Sequence, residues 1–66
     1  MKVLLNGEAH TAPDGLTVAA LLEQLQLAGK RIAVEVNEEI IPRSQHGNTV
    51  LRDGDRIEIV HAIGGG

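Results

Sequence analysis

Apolar and polar positions alternate from the first residue: Met1, Val3 and Leu5 fall on one side of an extended chain, and Lys2, Leu4 and Asn6 on the other. A period of two predicts a strand with one face turned inward. Asn6-Gly7 follows, and both residues tolerate positive φ, so the chain is expected to reverse there in a two-residue hairpin. Residues 8–12 return as a weaker, more polar strand suited to a sheet edge, and Pro13-Asp14-Gly15 makes the next turn. The period then changes. Val18, Leu21, Leu22 and Leu25 stand at i, i+3, i+4 and i+7, the apolar stripe of an α-helix, with Glu23, Gln24 and Gln26 on the other side. Thr17 is its expected N-cap, and Gly29 its expected stop, with Leu27 and Ala28 in the last turn.

Residues 31–36 are rich in β-branched side chains, with Ile32, Val34 and Val36 on one face. Asn37-Glu38-Glu39 reads as a turn, and Ile40-Ile41 opens a short segment that Pro42 confines to an edge. Residues 43–48 read as surface loop, and Val50 and Leu51 as two further core candidates. After a turn at Asp53-Gly54-Asp55, a last strand over 56–61 points Ile57 and Ile59 inward. The order β-β-α-β-(β)-β predicts an α+β fold in which one helix covers one face of a mixed sheet of four to five strands.

Composition narrows the chemistry. A chain of 66 residues holds one small domain, expected over 1–62 with 63–66 as a flexible glycine tail, and it buries only about 60% of the surface that it exposes when unfolded. There is no Cys, which removes disulfides, thiolate zinc sites and a cysteine nucleophile. There is no Phe, Trp or Tyr either, so the core must be Val, Leu, Ile and Ala, and no aromatic platform exists for single-stranded RNA. The net charge of −3 comes without a cluster of Lys or Arg, which argues against a phosphate backbone as partner. The start of the chain turns polar too soon for a signal peptide or a membrane span, and a cytoplasmic protein is expected. His10, His46 and His61 share no metal-ligand spacing; His61 is expected as a half-buried strand residue. Asp53-Gly54-Asp55 lacks the remaining ligands of a calcium loop and reads as a turn. Glu38 and Glu39 read as solvated, and Arg43 and Arg52 as surface charge.

The sequence given closes on Ile63-Gly64-Gly65-Gly66. Glycines there contribute nothing to a core and lose much freedom on ordering, so they make little sense as a stabilising element. Two readings stand: a frayed chain end without function, or a thin strip of backbone able to enter a narrow active site where any Cβ would collide, with the carboxylate of Gly66 as the reactive group and Gly64 and Gly65 as the threading segment. Leu4 is out of phase with Val3 and Leu5, and Val60 and Ala62 with Ile57 and Ile59. These residues, with Ile63, are the expected docking patch, since adjacent first and last strands would gather them on one exposed face.

Taken together, Met1-Lys2-Val3-Leu4-Leu5-Asn6-Gly7, Thr17-Val18 through Leu21-Leu22, Ala33-Val34-Glu35-Val36-Asn37 running into Ile41-Pro42-Arg43, Asp53-Gly54-Asp55-Arg56-Ile57-Glu58-Ile59 and the final Gly65-Gly66 resemble the sulfur carrier proteins of thiamine biosynthesis. The resemblance spans the chain; Gly64 stands where that family varies. It implies a ubiquitin-like β-grasp fold with the first and last strands side by side. It also implies a non-catalytic role in which the Gly66 carboxylate is adenylated by an E1-like enzyme that uses ATP and Mg2+, converted to a thiocarboxylate by a sulfur-donating protein of the cysteine desulfurase or rhodanese type, and passed to thiazole synthase. The carrier itself would bind no cofactor or metal and would be a monomer when free. The alternatives are a sulfur carrier for molybdopterin or tRNA thiolation, which usually runs longer, a ubiquitin-like protein modifier, and a plain β-grasp interaction module with an inert tail.

Overall fold

The computed structural model describes residues 1–61; Ala62, Ile63 and the three glycines of the expected tail lie outside them. Five strands and one helix follow one another as β1 (Lys2–Leu5), β2 (Glu8–Thr11), α1 (Val18–Gln24), β3 (Ile32–Val36), β4 (Glu39–Ile41) and β5 (Arg56–His61), with a 3-10 turn at Arg43–Gln45. The sheet order is β2-β1-β5-β3-β4. β1 and β5 run parallel, while β1–β2, β3–β4 and β3–β5 are antiparallel. The first and last strands are therefore neighbours, and β5, the strand that leads toward the tail, lies in the middle of the sheet.

Aliphatic packing closes one face. Val3, Leu16, Val18, Leu21, Leu22, Val34, Leu51, Ile57 and Ile59 are buried together, so the inward-facing residues read from the alternation of β1, β3 and β5 form the floor of the core and the helical stripe its roof. α1 has only seven residues, too few to persist alone; burial of Val18, Leu21 and Leu22 holds it in place.

The helix start draws its partners from outside the helix. The first four N–H groups of a helix lack intrahelical partners, and three of them are satisfied. Here Val18 N–H donates to Thr49 O at 3.0 Å and Ala19 N–H to His46 O at 3.0 Å, and Ala20 N–H donates to the N-cap Thr17 Oγ1 at 3.1 Å. Residues 43–48 are therefore more than the surface loop expected. The 3-10 turn at Arg43–Gln45 leads into His46 and Thr49, whose oxygens cap α1, and His46 is buried there, 8% exposed, with Nε2 donating to Ile41 O at 3.0 Å.

The helix end differs from the expectation at Gly29. α1 stops at Gln24, and Gln26 takes the left-handed conformation with φ 61°. Leu27 N–H donates to Leu22 O at 2.8 Å and Gln26 N–H to Glu23 O at 3.0 Å, the paired bonds of a Schellman motif. At 100° per residue, Leu27 in a continued helix would stand opposite the Val18–Leu21–Leu22 stripe; ending the helix turns it back onto the core. Gly29 serves a later turn, with φ 79°, closed by Lys30 N–H donating to Leu27 O.

Three smaller readings are corrected. Val50 is 52% exposed while Leu51 is buried, because adjacent residues in extended chain point opposite ways. Glu39 belongs to β4, and the two-residue turn is Asn37-Glu38, with φ 52° and 70°. His61 is exposed at the end of β5, where it pairs with Ile32 in the outermost register of the ladder.

Candidate functional site

The face of the sheet opposite α1 has no layer over it among the described residues. Register fixes what it presents. Leu4 lies opposite Ala9 on β2 and Arg56 on β5. Along β5 the same face carries Arg56, Glu58 and Val60, with Glu35 opposite Glu58 and Ala33 opposite Val60 on β3. Ile40 of β4 lies opposite Glu35 and completes the row.

Leu4, Ile40 and Val60 are the large apolar side chains exposed on this face, at 42%, 69% and 55%. Leu4 and Val60 were expected here. Their union into one apolar patch does not occur, because Val60 lies four residues beyond the partner of Leu4 on β5, about 13 Å at the usual strand rise, with Glu58 between them. Ala62, Ile63, Gly64, Gly65 and Gly66 fall outside the described residues. Ile40 was missed by the sequence reading; the antiparallel return through Asn37-Glu38 places it, and Pro42 drew attention to the end of that strand instead.

Between Leu4 and Glu58 the surface dips into a shallow, open depression lined by Leu4, Asn6, Gly7, Arg56 and Glu58. Asn6 shapes its floor. With φ 50° it leaves β1 for the hairpin, and its side chain reaches across to β5: Oδ1 accepts from Ile59 N–H at 2.8 Å and Nδ2 donates to Ile59 O at 3.3 Å. The amide thus continues the β1–β5 ladder past the end of β1 and clips down the strand that leads to the tail.

Charge at the face is sorted by geometry. Arg56 lies 3.7 Å from Glu38, drawn toward the β3–β4 turn, while Glu35 and Glu58 confront each other across the ladder. Neither has an ion-pair partner among the described residues. The carboxylates of Asp53 and Asp55 are already engaged by hydrogen bonds: Asp53 Oδ1 accepts from Lys2 N–H at 2.7 Å, and Asp55 accepts from Arg52 N–H at 2.8 Å and from Asn37 Nδ2 at 2.9 Å. One of these bonds closes the turn, and the other two tie it to β1 and to the β3–β4 turn. On the helix side, a groove of about 420 Å³ runs between α1, the Lys30 turn and the 3-10 turn. Arg43 on its rim donates to Lys30 O at 3.1 Å. No group of three His, Asp or Glu side chains among the described residues converges to hold a metal ion. No helix among them is long and apolar enough to cross a membrane.

A mixed five-stranded sheet under one helix, with parallel β1 and β5 at its centre, is the ubiquitin-like β-grasp architecture. A solved structure of the thiamine biosynthesis protein ThiS from Geobacter metallireducens has this fold, at TM-score 0.88 and 33% identity over 100% of both chains. The chain belongs to the ThiS family, the sulfur carrier proteins of thiamine biosynthesis, whose pattern matches residues 3–66. It is 38% identical to the sulfur carrier protein ThiS of Escherichia coli over 100% of each. It is also 47% identical over its whole length to a thiazole synthase from Magnetococcus marinus, of which it spans 20%.

Proposed function

We propose that this chain is a protein co-substrate that carries sulfur on its Gly66 carboxylate and delivers it for thiazole formation. A carboxylate resists nucleophilic attack because it is negatively charged. Attack of its oxygen on the α-phosphorus of ATP releases pyrophosphate and leaves an acyl-adenylate. The terminal sulfur of a donor persulfide then adds to that carbonyl, the C–S bond forms and the bond to the AMP oxygen breaks. A thiolate next attacks the donor's sulfur in the resulting acyl disulfide, the S–S bond breaks, and the thiocarboxylate is released as the donor and the thiol become a disulfide. ATP and Mg2+ belong to the adenylating partner. The carrier's contribution is an unhindered terminal acyl group, the Gly64-Gly65 strip that brings it into a narrow channel, and a face by which partners hold the domain.

The observation behind this reading is the family match running through the terminal glycines, residues 3–66, on a fold whose central strand leads directly toward them. The thiazole synthase from Magnetococcus marinus, with a segment resembling this chain inside it, supports thiazole synthase as the recipient. A cytoplasmic setting with a free monomeric carrier fits these steps. The test is intact mass spectrometry after incubation with the adenylating enzyme, ATP and a sulfur donor. The expected result is a gain equal to exchange of one oxygen for sulfur, abolished by deleting Gly66. An unchanged mass beside a partner that modifies another carrier would refute the proposal.

A further inference from the structure

We infer that the groove on the helix side seats the chain's own tail when no partner holds it: Ile63 covers the apolar floor, and the Gly66 carboxylate lies against Lys30 and Arg43. The inference rests on the carrier reading above for the role of that carboxylate, and adds where the free carrier keeps it.

Three observations converge. First, the ladder aims the tail at this groove. Each step forward along β5 is one step back along β3, from Val36 opposite Ile57 to Ile32 opposite His61. Carried two residues further, the same register sets Ile63 opposite Lys30. The phase of Ile57 and Ile59 then turns the Ile63 side chain to the helix side of the sheet, and Ile32 and Lys30 both line the groove there. Second, the floor keeps apolar surface open. Leu27 and Ile32 pack against the core yet stay half-buried, and they line the groove together with Ala20. One branched aliphatic side chain laid across them removes apolar surface from water on both sides of the contact. Third, the rim carries the charge that suits a chain end. Lys30 and Arg43 line the groove against one carboxylate, Glu23, and neither cation has an ion-pair partner among the described residues. Arg43 is held beside Lys30 by its bond to Lys30 O. Three glycines span about 10 Å when extended and turn back readily through positive φ, so the carboxylate reaches these cations once Ile63 is seated. An adenylating enzyme must then draw the tail out, and its apparent affinity for the carrier falls with the undocked fraction.

The test is NMR of the full chain, labelled at its amides and at its Ile, Leu and Val methyl groups, beside the Ile63→Ser, Ile63→Val and Lys30→Gln variants, at low and high salt and over a dilution series. Cross-relaxation is expected between the Ile63 methyls and those of Leu27 and Ile32. Ile63→Ser is expected to abolish that contact and to move the Leu27, Ala28 and Ile32 signals, whereas Ile63→Val retains it. Lys30→Gln and high salt are expected to move the same signals part of the way. Unchanged signals from β1 and β2 mark an intact fold in each variant. Groove signals indifferent to Ile63→Ser overturn the inference and leave the carrier reading, which is tested by the mass of the thiocarboxylate, intact. Contacts that vanish on dilution assign the groove to the tail of a second copy and equally overturn it. Contacts that persist in a chain that never gains sulfur beside a competent partner uphold the seat for the tail and refute the carrier reading.

Discussion

Gln26 closes the helix from a conformation that an L side chain adopts at a cost. Its φ of 61° places it in the left-handed region, where glycine carries no Cβ penalty. Gln26→Gly is therefore expected to stabilise the fold by about 1 kcal/mol, read as a higher urea midpoint at unchanged slope. Its side chain is exposed and has no hydrogen bond to lose among the described residues. The same site shows what single residues disclose in a sequence. Asn6-Gly7 was legible as a turn because both residues are suited to positive φ, and they take 50° and 85°. Gln26 was not legible, because nothing in glutamine announces that conformation. It was imposed by Leu27, whose need for the core outweighed local preference, while Gly29 nearby offered the more obvious stop.

At the level of elements, strands and helix followed directly from the periods of two and 3.6. Of the inward set, Val3, Val34, Ile57 and Ile59 are buried, and Met1, Leu5, Ile32 and Val36 pack half-buried against them. The 3-10 turn at Arg43–Gln45 escaped notice because its purpose is served by backbone oxygens. His46 O and Thr49 O accept from the helix start, and main-chain acceptors leave no trace in a pattern of side chains. His46 anchors this arrangement through Ile41 O. His46→Ala is expected to lower stability by about 1–3 kcal/mol, since it opens space in a buried position and leaves that carbonyl short of a partner. Amide exchange then checks the mechanism: protection should fall first at Val18 and Ala19, whose N–H groups depend on this segment. A uniform loss of protection instead would mean that the histidine serves general packing rather than the cap.

For the molecule as a whole, the fold and the exposure of Leu4 and Val60 were readable from phase alone. The interruption between them was not, because it depends on the parallel register of β1 against β5, a non-local pairing. At this scale the carrier proposal also makes a demand on the tail. Gly65→Ala is expected to leave the melting temperature of the domain unchanged and to slow thiocarboxylate formation by tenfold or more, the order of effect that about 1.4 kcal/mol of steric conflict produces. Activation of that variant at the native rate would contradict a channel too narrow for a Cβ.

The position of β5 has a mechanical consequence. It is flanked by β1 on one side and by five paired residues of β3 on the other, and Asn6 fastens it near its end. Traction on the chain beyond His61, by an enzyme gripping the far end while its surface braces the sheet, loads these bonds side by side in shear. An outer strand such as β2 or β4 would instead be peeled away one bond at a time. If the tail is threaded as proposed, its attachment to the innermost strand lets a small domain of only aliphatic core be tugged without unravelling.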